Sequence, residues 1–367
     1  MSTSSTSQPG TTRRAAHERP AVEPVRHTKW ALAVAFGLAG SVIVALIVMA
    51  FVWPIATADP RDLPIAVSGP AAQVDALETA LGEKTDGLFA YTEVVDRDAA
   101  VAAIEDRSVY GAIVLGQVPE VLTAGAANVN VAQQLTSLAA QLQQQLAAQV
   151  AAAGGDASQV KVSVSDIVPL SADDPNGAGL AVASFPLVLG GMLGGILVAL
   201  LVVGTWRRVT ALVVYGVAAG LGVTAILQPW FGILQGDFLV NALAIGLAMF
   251  ATAALIVGLN ALIGRAGIAV GAIITILVAN PISSATLPHQ FLAGPWGDIG
   301  QFFVPGAAST LVRSLSYFPA ADTSAQWLTL VAWAVAGLLL SILGHFRNQA
   351  PIHLPESEFE PIPAAAG

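Results

Sequence analysis

Cysteine is absent from the 367 residues, which excludes disulfides, thiolate metal sites and cysteine nucleophiles together. Charge is scarce as well. Only 11% of the residues are Asp, Glu, Lys or Arg while 55% are hydrophobic, a composition at odds with a water-soluble fold. Lysine occurs only as Lys29, Lys84 and Lys161. None of these sits in a Gly-x-x-x-x-Gly-Lys-Ser/Thr loop, so the chain itself does not cradle nucleotide phosphates in the P-loop manner. His17, His27, His289, His345 and His353 are scattered without the HExxH spacing, and there is no Gly-x-Ser-x-Gly elbow. The expectation is a protein that is not an enzyme, with no catalytic residue, no metal site and no cofactor.

What is present is a series of long uncharged apolar runs. They lie at 30–53, 179–204, 209–228, 238–264, 267–287 and 327–346, and about 20 helical residues cross a hydrocarbon core. Six transmembrane helices are therefore expected. The run at 30–53 is too long, and its polar preface too extended, for a usual secretory signal, although Ala56-Thr57-Ala58 has the small-x-small look of a cleavage site. With the N-terminus inside, Arg13, Arg14, Arg19, Arg26, Lys29, Arg207, Arg208, Arg265 and Arg347 all fall on the cytoplasmic side, and Arg313 is alone in the short outer loops. That is the positive-inside pattern of a multi-pass plasma-membrane protein with both termini cytoplasmic. The runs carry no Asp, Glu, Lys or Arg in their interiors, which argues against a self-sufficient proton-coupled pump. Asn241, Asn260 and Asn280 are the polar candidates there, for a substrate path or for interhelical hydrogen bonds.

The pattern divides the chain into a disordered cytoplasmic tail (1–29), a first transmembrane helix (30–56), an extracytoplasmic domain (57–178), a five-helix transmembrane region (179–346) and a cytoplasmic C-terminal tail (347–367). The domain at 57–178 holds sixteen acidic against five basic residues, which disfavours nucleic acid as a partner. Its periodicity predicts alternating strands and helices: strands at 63–68, 90–95, 110–115 and 161–168, helices at 71–81 and 99–104. Val131, Leu135, Leu138, Leu142, Leu146 and Val150 then recur at helical spacing, so one long helix carries an apolar seam that must be covered. The fold class is thus an α-helical polytopic membrane protein with an inserted α/β domain containing one long helix.

A stretch at 287–326 mixes Phe291, Trp296, Phe302, Phe303, Tyr317 and Phe318 with prolines, the composition of an outer interfacial loop. In a short helix at 306–317, Leu311 and Leu315 share a face, and Arg313 is expected to meet lipid phosphate. This segment is either a structural belt or a lateral gate. Gly190 and Gly194, Gly191 and Gly195, Gly216 and Gly220, and Gly267 and Gly271 are each four apart. Such strips let backbones approach closely, within one chain or across a homodimer.

One span, an outer domain opening with Leu63-Pro64-Ile65-Ala66-Val67, a Tyr110-Gly111-Ala112-Ile113-Val114 strand, a glutamine-rich helix and five clustered spans together resemble the ABC-2 type permeases, and within them the phage-infection-protein-like membrane proteins. The most specific stretch is Asn280-Pro281-Ile282-Ser283-Ser284, with Pro288, Trp296-Gly297, Pro305-Gly306-Ala307 and Arg313-Ser314. The resemblance implies an export-type permease that moves hydrophobic or envelope substrates with a separate cytoplasmic ATPase subunit. It also implies an alternative, since some such proteins are phage receptors or parts of a secretion apparatus. The chain departs from the permease pattern where energy would enter. Its N-terminal tail has no amphipathic helix, and the inner loop between the second and third spans is only Thr205-Trp206-Arg207-Arg208. Trp206, Arg207 and Arg208 are the candidate contacts for a cytoplasmic partner.

Overall fold

The computed structural model describes residues 28–85 and 87–347. The chain divides into two compact units, Met1–Leu46 and Ile47–Gly367. Helix α1, Trp30–Ala56, supplies the helical part of the first unit and ends in the second. Among the described residues, five helices are long and apolar enough to cross a membrane: Trp30–Ala56, Ala178–Leu201, Thr205–Trp230, Phe238–Ile263 and Ser324–Arg347. The protein is a helical membrane protein.

After α1 come strand β1 (Leu63–Ser68), helix α2 (Ala71–Thr85), β2 (Phe89–Glu93), α3 (Arg97–Glu105), β3 (Gly111–Val114), β4 (Glu120–Thr123), α4 (Val129–Ala152) and β5 (Ser163–Asp166). They form one sheet in the order β2-β1-β3-β4-β5, parallel except for the antiparallel β3–β4 pair. Alternation sorts the side chains by face. Leu63, Ile65, Val67, Ile113 and Val121 meet Val74, Leu77 and Leu81 of α2 and Val131, Leu135 and Leu138 of α4. Ala66, Ala112 and Leu122 meet Ala100 and Ile104 of α3 on the other face. Strand β4 is the one element the pattern misses, because Val121 and Leu122 are both fully buried on opposite faces and four residues are too few to show a period.

The α4 seam is covered only along its N-terminal half. Val131, Leu135 and Leu138 are buried, Leu142 packs at the margin, and Leu146 and Val150 stay half-exposed beyond the sheet.

The helical bundle comprises α5 (Ala178–Leu201), α6 (Thr205–Ala225), which runs on as a π-helical turn over Ile226–Trp230, α7 (Phe238–Ile263), α8 (Arg265–Ala272), α9 (Trp296–Gln301), α10 (Val304–Tyr317) and α11 (Ser324–Arg347). Helix α7 is apolar all round and correspondingly central. It packs on α5, α6, α8, α10 and α11, and its alanines and glycines allow those neighbours close. Two connections between the helices are shorter than the sequence suggests. Thr205, Trp206, Arg207 and Arg208 are not a loop but the first turn of α6, leaving Val202–Gly204 as the link, and α7 passes to α8 through Gly264 alone.

The run at 267–287 does not form a full-length span. Eight residues of α-helix continue as seven of π-helix, Ile273–Ala279. Pro281 cannot donate into the helical ladder, so the helix ends there. Ile282, Ser283 and Pro288 are nevertheless buried, so the irregular segment that follows is covered by protein at those positions. The stretch at 287–326 is likewise not a surface belt. It places Phe291 in the α2–α4 core and Phe318 in the α3 core of the sheet domain, while Val304, Ala307 and Leu311 of α10 join the core of the bundle. Trp296 and Phe302 remain exposed.

Candidate functional site

Two arginines 206 positions apart in sequence converge where the sheet domain meets the bundle. Asp96 caps the start of α3 by accepting from Ala99 N. The helix ends at a turn in which Arg107 adopts φ 65°, a left-handed conformation that non-glycine residues seldom take. That turn aims its guanidinium at α10. Arg107 Nη1 donates to Thr310 O at 3.1 Å and to Ser314 Oγ at 2.6 Å, and the group lies over the Phe318 ring, 5.2 Å from its centroid. Arg313 comes from α10 itself. Its Nη1 donates to Ala126 O at 3.0 Å and its Nη2 to Ala285 O at 3.3 Å. Its guanidinium is therefore held between the sheet domain and the 280–288 segment, not at a lipid surface.

Among the described residues neither guanidinium has a carboxylate within ion-pair distance; the ion pairs are Arg61–Asp59, Arg97–Glu120 and His289–Asp298. Burial therefore acts on them without a compensating partner. It lowers the Arg107 pKa to about 10, with a further contribution from Arg313, and it lowers that of Arg313, which Tyr110, Tyr317 and Asp174 partly offset. Burial also raises the Tyr110 phenol and lowers His289. A guanidinium is not deprotonated in a protein near neutral pH, so both side chains are cations.

These groups line a cleft of about 340 Å³ whose walls include Tyr110, Ser284, Gln290 and Thr310. Tyr110 OH donates to Gln290 Oε1 at 3.3 Å. Ser284 is held at φ 54°, and its buried Oγ has no hydrogen-bond partner. Arg107 Nε and Nη2 and Arg313 Nε make no hydrogen bond within the described residues. Asp106 and Asp322 belong to the exposed side of the same cleft, where each already accepts a backbone N–H, from Ser108 and Ser324.

Beside it lies a more apolar groove of about 590 Å³ between the end of α1, α5 and the 280–292 segment, with Phe51, Ile55, Phe185 and Leu292 in its walls. The two share Ser284, Ala285 and Leu287. Phe51 and Phe185 meet edge to face in it, 5.9 Å apart.

The outer-loop residues singled out by sequence divide between scaffold and site. Arg313 and Pro288 line the cleft. Asn280 and Pro281 line the apolar groove, and Asn280 O accepts from Ser283 Oγ. Pro305 opens α10, Gly306 packs on the Gly300 carbonyl, and Trp296 stands edge-on to Trp53 at 6.1 Å. The glycine strips are spent inside the chain. Gly190 faces Met249 and Gly194 faces Tyr215, Gly191 and Gly195 face α7, Gly216 and Gly220 meet Gly246 and its neighbours, and Gly267 and Gly271 meet Leu259 and Ile256.

Arg208 donates from Nε to Val202 O and from Nη2 to Ala199 O, closing the end of α5, whereas Trp206 and Arg207 are exposed. Asn241 is fully buried and donates to Gln228 Oε1 and Gln235 O, the interhelical use rather than a path. Sequence reasoning missed Arg107, and it named Ser284 only as the end of the Asn280–Ser284 stretch, without a role at the site. Both owe their position to a left-handed turn that nothing in their neighbours announces.

Comparison with known proteins finds no family model, curated protein or solved structure that matches this chain.

Proposed function

We propose that the protein is a permease-like membrane component of an ABC-2 type exporter, the family its sequence resembles, and that it moves hydrophobic or envelope substrates past the outer face of a plasma membrane. In this reading both termini are cytoplasmic and the chain crosses six times. The fifth crossing is the short α8 helix with its π-helical extension, about 22 Å of helix at 1.5 Å per residue, completed by the 280–288 segment. Irregular backbone at membrane depth is tolerated where protein buries it, and Ile282, Ser283 and Pro288 are buried.

The observation that carries the proposal is the junction: a folded domain sits over the bundle, and a polar, arginine-lined cleft opens between them next to an apolar groove. A purely structural contact would close on itself with paired charges. This one keeps two cations without an ion-pair partner among the described residues, and unused donors, the arrangement of a site that receives something. The energy source would be a separate ATPase, reached through the exposed Trp206 and Arg207. Purification of the tagged chain from its native membrane in mild detergent, with and without nucleotide, tests this. Co-purification of a nucleotide-binding subunit supports export, and its absence, with no loss of export on deleting the chain, removes it.

A second reading, a non-transporting envelope scaffold or receptor that presents the sheet domain, is favoured by the inner connections, which reduce to Val202–Gly204 and Gly264 and offer little for an ATPase to grip. Deleting residues 61–170 separates the two. Loss of partner binding with export intact favours the scaffold.

A further inference from the structure

We propose that the cleft between Arg107 and Arg313 is a binding site for a phosphate ester, the headgroup of an anionic amphiphile whose tails occupy the adjoining apolar groove. This names the substrate class of the export reading and rests on it for its purpose, though not for its chemistry. Three features point the same way. The first is charge without an ion-pair partner: among the described residues both guanidiniums spend their hydrogen bonds on neutral oxygens, at Thr310, Ser314, Ala126 and Ala285. A guanidinium fork matches the geometry of phosphate oxygens and gives its strongest hydrogen bonds to an anion.

The second feature is spare donor capacity in one place. Arg107 retains Nε and Nη2, Arg313 retains Nε, and Ser284 Oγ is buried and unpartnered in the shared wall. Ser284 reaches that wall in a left-handed conformation, and local strain of this kind concentrates at functional sites. The third is the wall that the two cavities share. Ser284, Ala285 and Leu287 border both the arginine cleft and the groove walled by Phe51, Phe185 and Leu292. A molecule with an anionic head and apolar tails fits that pair of surfaces, whereas free phosphate would use only the first. Asp106 and Asp322 stand on the exposed side, and Asp174 is a weaker influence on Arg313. Asp106 and Asp322 each spend a carboxylate oxygen on a backbone N–H, from Ser108 and Ser324, and neither forms an ion pair with Arg107 or Arg313 among the described residues.

The test is a titration of the purified full chain, in a neutral maltoside detergent, with dihexanoyl phosphatidate, read by calorimetry. Saturable binding is expected, weakened about tenfold or more in Arg107→Gln and in Arg313→Gln, because each removes one charged fork. Arg97→Gln is the control, since that guanidinium is already held by Glu120, and it should leave binding unchanged. Dihexanoylglycerol, with the same tails and no phosphate, should not bind. Inorganic phosphate should bind more weakly than phosphatidate; equal affinity keeps the oxyanion site and overturns the lipid source.

Undiminished binding in both glutamine variants, or equal binding of dihexanoylglycerol, overturns the site. If either variant fails to fold, competition on the unaltered chain decides. Inorganic pyrophosphate must displace phosphatidate, and failure to do so overturns the proposal. Binding intact without any export phenotype removes the export reading alone, and export intact without binding removes this one alone.

Discussion

Arg107 Nη1 and Ser314 Oγ meet at 2.6 Å, across 207 positions of sequence, and this contact joins the turn after α3 to the C-terminal half of α10. Phe318, one turn further on, lies beneath the same guanidinium and fills the α3 core of the sheet domain. The sheet domain therefore borrows part of its hydrophobic core from a segment nearly two hundred residues downstream. A fragment spanning only 57–178 lacks that piece. Phe318→Ala in the full chain should cost about 3–5 kcal/mol, the usual range for a buried phenylalanine, seen as loss of protection of the α3 amides in hydrogen exchange.

The arginines are expected to cost stability rather than supply it. Replacing an uncompensated buried charge by an apolar side chain of similar length is often neutral or favourable. Arg107→Met should keep its unfolding midpoint within about 1–2 °C of the unaltered protein, a change of no more than ~1 kcal/mol for a chain of this size. A much larger fall would mean that the bonds to Thr310 and Ser314 are structural anchors and that the cleft is a joint instead of a site.

The α4 seam separates into two halves with different expected responses. Leu135 has no exposed surface, and Leu135→Ala should destabilise by about 2–5 kcal/mol. Leu146 projects beyond the sheet, and Leu146→Ala should change stability by about 1 kcal/mol or less. Thermal melts of the two variants side by side check this; equal effects would place the distal seam against something absent from the single chain.

Much of the sheet domain was legible because its elements have clean periods. Strand β1 falls at Leu63–Ser68 as the alternation requires, and α4 follows its heptad-like leucines over Val129–Ala152. The membrane runs were equally readable from the absence of charge. The site was not. Arg107 and Arg313 are brought together by the docking of α10 on α3, a tertiary event with no local signature, and Arg313 alone looked like an interfacial anchor. The fifth run forms a helix shorter than its hydropathy suggests, because hydropathy counts residues and not helical bonds, and Pro281 interrupts the ladder inside an apolar stretch.

Close packing of α6 on α7 gives a sharp contrast between two glycines of one helix. A side chain at Gly220 would strike the Ala242 carbonyl and Gly246, whereas Gly222 faces open space. Gly220→Val should fail to give monodisperse protein in detergent, while Gly222→Val behaves as the unaltered chain. Equal tolerance of both, in size-exclusion profiles, would contradict the α6–α7 crossing.

Acid should weaken the sheet domain through Glu120. Its carboxylate accepts from Arg97 Nε at 2.7 Å, Arg97 Nη2 at 3.1 Å and Ser165 Oγ at 2.7 Å, and the hydrogen bond from Arg97 is the main cause of a pKa below the ordinary 4.5. A carboxyl with a depressed folded pKa stabilises above its unfolded value, and that stabilisation is lost as pH falls through the folded one. Between neutral pH and pH 4.5 this contribution is therefore constant, and it declines below. Glu120→Gln should flatten that acid limb of the melting profile and leave the neutral region parallel.

The most direct measurement is the accessibility of single cysteines placed in this cysteine-free chain, because the cleft can receive a substrate at the outer face only if the sheet domain lies outside. Ser137→Cys on the exposed face of α4 and Ala320→Cys beside the cleft should react with a membrane-impermeant maleimide in intact cells. Trp206→Cys, at the exposed start of α6, should react only after permeabilisation. Labelling of Trp206→Cys in intact cells, or protection of Ser137→Cys until the membrane is opened, would contradict the six-crossing arrangement and the outward cleft together.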